Sequence, residues 1–122
     1  MDEKSMPKRH MIQTPDGQIE YRELGEGKPL LLLHGLPQSS RQYARHMWRV
    51  AKDRRVSAMT MMGCGQSARP PKPYTDLNQY AQTVLWLIDE LGIDKTDIFS
   101  THTGSAVSVA FAALHSNRIN KL

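Results

Sequence analysis

The chain of 122 residues is poor in cysteine, with Cys64 as its single one. One cysteine cannot form an internal disulfide, and no second cysteine completes a CxxC metal or redox pair. This composition fits a reducing compartment, so we predict a cytoplasmic protein. No basic neighbour would lower the pKa of Cys64, and we interpret it as a packing residue.

Long apolar runs are also absent. Runs such as Leu30–Leu33 and Val109–Leu114 are far too short to span a bilayer. The polar segment Met1–His10 leads into no apolar run of signal-peptide length. We therefore expect no membrane partner, a disordered segment over residues 1–10 and one domain over residues 11–122.

The sequence offers few signs of nucleic-acid or metal binding. The formal charge is +4, but the basic residues are scattered and no aromatic residues interleave with them. Arg41, Arg45, Arg49 and Lys52 are interpreted as a solvated helix face. His10 and His46 have no convergent ligands, and no His, Asp or Glu pair has metal spacing. We predict no nucleic-acid partner, no metal and no cofactor.

Turn residues and apolar runs predict the strands. Thr14–Gly17 is a turn that joins two strands in an antiparallel hairpin. Leu30–Leu33 lacks alternation, which is typical of a strand covered on both faces in a parallel sheet. Val56–Met59 and Ile98–Phe99 are predicted as two further inner strands.

Helical periodicity recurs near residues 41–52, 76–91 and 103–115. Thr75 or Asp76 is predicted to cap the second helix, and Gly92 to end it. The alternation of strands and helices predicts an α/β fold, with an open, mostly parallel sheet, helices on both faces and an N-terminal antiparallel hairpin.

A corner of small residues follows the last predicted strand. In Ser100-Thr101-His102-Thr103-Gly104, the flanking Ser100 and Gly104 are small enough to allow a sharp strand-turn-helix. The residue at the apex of this corner is His102.

Three segments together resemble the α/β-hydrolase superfamily, particularly its epoxide-hydrolase and haloalkane-dehalogenase-like branch. They are His34-Gly35-Leu36-Pro37 after a continuous strand, Thr60–Ser67, and the Ser100–Gly104 corner, which resembles a nucleophile elbow. The resemblance spans roughly residues 11–122. Asn117–Leu122 matches the turn into the next strand of that fold, which implies that the chain stops before the later strands.

The resemblance also implies roles for residues. The backbone N–H groups of Leu36 and Thr103 would form the oxyanion hole, and His34 would support the oxyanion loop. His102 stands where the family has Ser, Asp or Cys, and Thr60 stands where Asp is usual. His102 is therefore a candidate catalytic base or a polar pocket residue, and both interpretations stay open.

The chain also lacks any acidic residue after Asp97. In the family an acid and then a histidine follow the nucleophile. The later His115 lies along the following helix, roughly 20 Å from the corner at 1.5 Å per residue, and cannot serve as the base.

Two functions therefore remain open. The first is a hydrolase of small esters or epoxides, with weak or no activity in this fragment; the second is a non-catalytic protein that binds a small ligand on the same fold. Dehalogenation is disfavoured because Leu36 and Thr103 offer no side-chain N–H to a halide. Loss of the later strands would leave a sheet edge exposed, so we also predict self-association through that edge.

Overall fold

The computed structural model describes residues 6–36 and 38–122. Within them lie strands β1 (Lys8–Thr14), β2 (Gly17–Leu24), β3 (Lys28–Leu33), β4 (Arg54–Met59) and β5 (Asp97–Ser100). The helices are α1 (Met47–Val50), α2 (Leu77–Glu90) and α3 (Thr103–Leu114), with short 3₁₀ turns at Ser40–Tyr43 and Ser116–Arg118. No helix in this part of the chain is long and apolar enough to cross a membrane.

The strands form one mixed sheet in the order β1-β2-β4-β3-β5. β1 pairs antiparallel with β2, and β2 antiparallel with β4. β3 lies between β4 and β5 and is parallel to both. The predicted hairpin and the predicted parallel inner strands are both confirmed.

The start of β1 corrects the predicted disorder of the segment 1–10 at residues 8–10, which are paired in the sheet. Lys8, Arg9 and His10 pair with Glu23, Arg22 and Tyr21 of β2, and the His10 ring stacks on Tyr21 at 5.2 Å. The polar composition of the segment gave no sign of this strand, because its order comes from backbone pairing with β2. Residues 1–5 lie outside the described part of the chain.

Helices cover the sheet on two faces, as predicted. On one face, Leu31 and Leu33 of β3 pack with side chains of α2 and α3 in the main core. On the other face, Leu32 packs with Met47 of α1 and with β4. Successive residues of β3 therefore point into two different apolar layers, which explains why this strand shows no polar alternation.

α2 begins and ends where the sequence predicts. Asp76 caps it, and Gln79 completes a capping box by accepting from the Asp76 N–H. At the other end, Gly92 has φ 71°, and the N–H groups of Gly92 and Ile93 donate to the carbonyls of Asp89 and Ile88. This is the hydrogen-bond pattern of a Schellman motif.

The predicted helix over residues 41–52 is wrong. The segment is a 3₁₀ turn, an irregular turn at Ala44–His46 and the single-turn helix α1. The His46 and Arg49 N–H groups donate three residues back, to Tyr43 and His46. Because a 3₁₀ turn has three residues per turn, the apolar stripe does not stay on one face, and Val50 is 43% exposed.

The chain after α3 returns to the outer side of β5. Thr96 and Ile98 donate to the carbonyls of Arg118 and Lys121, and Asn120 donates back to Thr96. The first half of β5 is therefore covered, and the predicted open edge is limited to its end, where Phe99 is 54% exposed. Beside Phe99 lies an apolar groove of about 320 Å³, with Leu30, Leu32 and Val50 in its walls.

Candidate functional site

The corner between β5 and α3 has a strained backbone at His102. Its φ is 51° and its ψ is −125°, and no other non-glycine residue in the described ranges has a positive φ. A conformation of this kind costs a residue with a Cβ on the order of 1–3 kcal/mol and occurs mainly at functional sites. The structure thus places His102 at the apex, where the small residues around it predicted a sharp turn.

Two glycines allow the corner to approach the end of β3. A Cβ on Gly104 would lie 2.6 Å from the carbonyl oxygens of both Leu33 and His34, and a Cβ on Gly35 would lie 2.9 Å from the Cβ of His102. Real Cβ atoms do not come so close to backbone oxygens. At the other flank, the Ser100 and Ser108 hydroxyls lie 3.0 Å apart. The corner and the loop after β3 therefore pack directly against each other.

The imidazole of His102 faces solvent. The residue is exposed, and within residues 6–36 and 38–122 no side chain hydrogen-bonds to its ring. A histidine that works as a general base normally has its second nitrogen held by a partner. The described residues supply no such partner to His102.

His34 is held in one protonation state by its surroundings. Its ring is fully buried, Nε2 accepts a hydrogen bond from the Met61 N–H at 2.9 Å, and Nδ1 lies 2.9 Å from the Gly35 carbonyl oxygen. Because a backbone N–H can only donate, Nε2 carries no proton, and Nδ1 must donate to Gly35. Burial lowers the pKa of His34. The ring joins the loop after β3 to the loop after β4.

The two backbone donors expected to face an oxyanion lie next to each other but differ in their partners. The Leu36 N–H donates to Thr103 Oγ1, at 2.6 Å. The Thr103 N–H, in the first turn of α3, has no acceptor in the described part of the chain. Sequence reasoning missed the Thr103 hydroxyl as the partner of Leu36, although a hydroxyl directly after the apex is a visible signal.

Tyr43 is a second residue whose place sequence reasoning missed, because it was assigned to a helix stripe. Its hydroxyl donates to the Leu33 carbonyl and lies 3.1 Å from Thr101 Oγ1. The ring packs edge-on against Phe99 at 6.5 Å. Tyr43 therefore links the end of β3 to the corner.

The loop after β4 contains a buried polar network. Thr60, in the position where the resembled family has Asp, donates to Glu20 Oε1 at 2.9 Å, and its Oγ1 lies 2.7 Å from Ser40 Oγ. Glu20 is 3% exposed. The Glu20 carboxylate of β2 therefore lies beside Thr60, where the resembled family has the carboxylate of an Asp on the loop itself. Glu20 and Thr60 are forty residues apart, so no local sequence pattern indicates this pairing.

The remaining candidates lie apart from the corner. His115 ends α3 and packs against Phe111, His10 stacks on Tyr21, and His46 lines the apolar groove. Cys64 is buried, and burial raises the pKa of its thiol. Among the described residues, no three His, Cys, Asp or Glu side chains are grouped to hold a metal ion.

Comparisons with known proteins agree with this architecture. Residues 28–122 match the family model described as the alpha/beta hydrolase fold. A 2-hydroxymuconate semialdehyde hydrolase of Pseudomonas sp. strain CF600 is 30% identical over 103 residues, covering 80% of this chain and 36% of that protein. A soluble epoxide hydrolase of Corynebacterium sp. strain C12 is 30% identical over 113 residues, covering 93% and 39%.

A solved structure shows the same relationship. A haloalkane dehalogenase loop variant from Bradyrhizobium elkanii superposes with a TM-score of 0.86 at 29% identity, over 93% of this chain and 38% of that one. The chain therefore spans less than half the length of each relative named here. The expected resemblance to the epoxide-hydrolase and haloalkane-dehalogenase branch is confirmed.

Proposed function

The chain belongs to the α/β-hydrolase fold family, and we propose that residues 11–122 form the N-terminal part of a small-molecule hydrolase fold with its substrate corner at His102. The observation that carries this proposal is the backbone of His102, with φ 51° and ψ −125° at a strand-turn-helix apex beside Leu36 and Thr103. Side chains at such an apex point into the space where a substrate is held.

The corner offers donors for an ester carbonyl or epoxide oxygen. The Thr103 N–H has no acceptor among residues 6–36 and 38–122 and can donate to a substrate oxygen. The Leu36 N–H joins it when that oxygen replaces Thr103 Oγ1. His102 can accept a proton but is not oriented by a carboxylate. We therefore propose that this chain turns over small esters or epoxides weakly or not at all. The chemistry calls for no metal and no cofactor.

A second function is favoured by the same contacts. The Leu36 N–H already has an acceptor, and both nitrogens of His34 are engaged. A corner with these groups satisfied can hold a small polar ligand without reacting with it. The alternative proposal is therefore a non-catalytic protein that binds a small carbonyl compound at the corner.

Turnover of 4-nitrophenyl acetate and styrene oxide by the purified chain tests the first proposal. In an enzyme whose catalytic triad has been removed, the oxyanion hole and substrate binding still accelerate the reaction by about 10³–10⁴ over water. We expect the rate of turnover by this chain to lie at or below that limit. His102→Ser should not exceed it, because the serine would lack a base within about 3 Å. Robust, saturable turnover that disappears in His102→Ala would instead make the His102 imidazole the catalytic group.

Amide chemical shifts separate the two functions. Acetophenone presents a carbonyl that cannot be hydrolysed, and its titration should move the Leu36 and Thr103 amide resonances if the corner binds ligands. Shifts at both amides without ester or epoxide turnover support the binding protein. An absence of shifts at both amides would refute the binding protein, and turnover above the limit given for oxyanion donors would refute the proposal of a weak or inactive hydrolase.

A further inference from the structure

Three arginine side chains converge on a cavity outside the corner. Arg9 of β1, Arg22 of β2 and Arg41 of the 3₁₀ turn line a space of about 180 Å³, with Gly65 of the loop after β4 in the same wall. A more open groove of about 420 Å³ shares Arg41 and Gly65 with this cavity. We call the two together the arginine cavity.

The arginine cavity has an excess of positive charge. Glu20 is the carboxylate in its lining, and its oxygens lie 3.4 Å from an Arg9 nitrogen and 3.7 Å from an Arg22 nitrogen. Three guanidinium groups and one carboxylate leave two positive charges facing a small space. Two lining guanidiniums thus share a single counter-ion.

Part of the cavity wall is held rigidly. Arg22 donates to Ser40 Oγ at 2.9 Å, and its side chain is 16% exposed. Glu20 is fixed in turn by the Thr60 hydroxyl. Gly65 has φ 47°, and a Cβ there would lie 3.0 Å from Glu20 Oε1, so its missing side chain keeps the floor of the cavity clear. A ligand would meet groups that are already in position.

Arg41 is the cation that remains available. Its backbone N–H is held by Ser39 Oγ, whereas no acceptor for its guanidinium is found among residues 6–36 and 38–122. Arg41 is exposed, as are Arg45 and Arg49, which agrees with the expected solvated face. Arg41 differs from Arg45 and Arg49 in that it also lines the cavity, together with Arg9 and Arg22.

We propose that the arginine cavity binds the phosphate group of a small molecule. Guanidinium forks match the geometry of phosphate oxygens, and a phosphate monoester near neutral pH carries close to the two negative charges that would balance the cavity. A carboxylate would balance only one of them. The proposal does not depend on the chemistry of the His102 corner.

Calorimetric titration of the 122-residue chain with inorganic phosphate, at pH 7.5 and low ionic strength, tests this site. We expect saturable binding of one phosphate per chain, at least tenfold tighter than acetate. Arg41→Gln should weaken phosphate binding at least tenfold. The matched control is Arg45→Gln, which removes the same charge from an exposed residue outside the cavity and should change the affinity less than twofold.

Arg41→Lys keeps the positive charge but loses the planar guanidinium, which can donate two parallel hydrogen bonds to phosphate. The phosphate affinity of this variant should therefore lie between those of the wild-type chain and Arg41→Gln. Circular dichroism would establish that all the variants retain the fold. Equal losses in Arg41→Gln and Arg45→Gln would mean non-specific attraction to a basic protein and would overturn the proposal. So would the absence of saturation, or phosphate binding no tighter than that of acetate.

Discussion

The hydroxyl oxygen of Thr103 lies 2.6 Å from the backbone nitrogen of Leu36, so the side chain after the corner's apex accepts a hydrogen bond from the loop after β3. This contact bridges 67 residues of sequence. It ties together the two segments that supply the candidate oxyanion donors.

Replacing Thr103 with valine tests this bridge. Valine keeps the branched shape but cannot accept, so the exposed Leu36 N–H passes to water and the free energy of unfolding should fall by about 0.5–1.5 kcal/mol. Hydrogen exchange at the Leu36 amide should become faster in Thr103→Val. Unchanged exchange would mean that the contact does not form in solution.

The strained backbone at His102 predicts a gain in stability from glycine. Glycine pays no Cβ penalty at φ 51°, so His102→Gly should raise the free energy of unfolding relative to His102→Ala by about 1 kcal/mol. Alanine is the matched control because it keeps the Cβ and loses the imidazole. Urea unfolding of the two variants measures the difference. Equal stabilities would show that the corner relaxes in solution.

Burial of His34 predicts a loss of stability in weak acid. The pKa of His34 is lowered in the folded state from its ordinary value of 6.5, so the unfolded chain takes up the proton more readily. The contribution of His34 is complete above about pH 6.5 and is lost progressively as the pH falls below it. Thermal unfolding between pH 8 and pH 5 should show this decline.

The control for this pH effect is His34→Gln. The variant should be less stable overall, yet its stability should depend less on pH between 6.5 and 5. If both proteins lose stability in parallel over that window, other groups are responsible for the decline.

Gly104 gives a prediction whose sign distinguishes two effects. Helix propensity alone would make Gly104→Ala stabilising by up to about 1 kcal/mol. The contacts of the added Cβ with the Leu33 and His34 carbonyls instead predict a loss of about 1–3 kcal/mol. Chemical denaturation of the variant decides between them. A gain would mean that α3 can move away from β3 at little cost.

The end of β5 predicts self-association of the chain. Phe99 is 54% exposed beside an apolar groove, and the returning segment covers β5 through Ile98. We expect sedimentation to show concentration-dependent association, and Phe99→Ser to weaken it. Val109→Ser is the control, since Val109 is 62% exposed but lies on α3. A chain that stays monomeric at high concentration would contradict the prediction.

Much of the fold could be predicted from the sequence because its signals are local. The apolar run of β3, the rhythm of α2 and the small residues around His102 each specify their own structure. The segment 41–52 failed because its stripe fits a helix, whereas the hydroxyl of Tyr43 is bound to Leu33 and the chain turns in 3₁₀ steps. The Glu20–Thr60 and Leu36–Thr103 contacts join distant residues, which no periodicity reveals.

The strand order has a consequence for how the chain assembles. β3 becomes the central parallel strand, yet both of its neighbours come later in the chain, and Leu30 meets Asp97 across 67 residues. Pairing over such separations is slow, because the loop entropy is lost before the contacts form. On the ribosome, β3 would leave the exit tunnel well before β5 is synthesised. During that interval one side of a leucine-rich strand has no neighbour, so a chaperone that shields Leu30–Leu33 should raise the yield of folded protein.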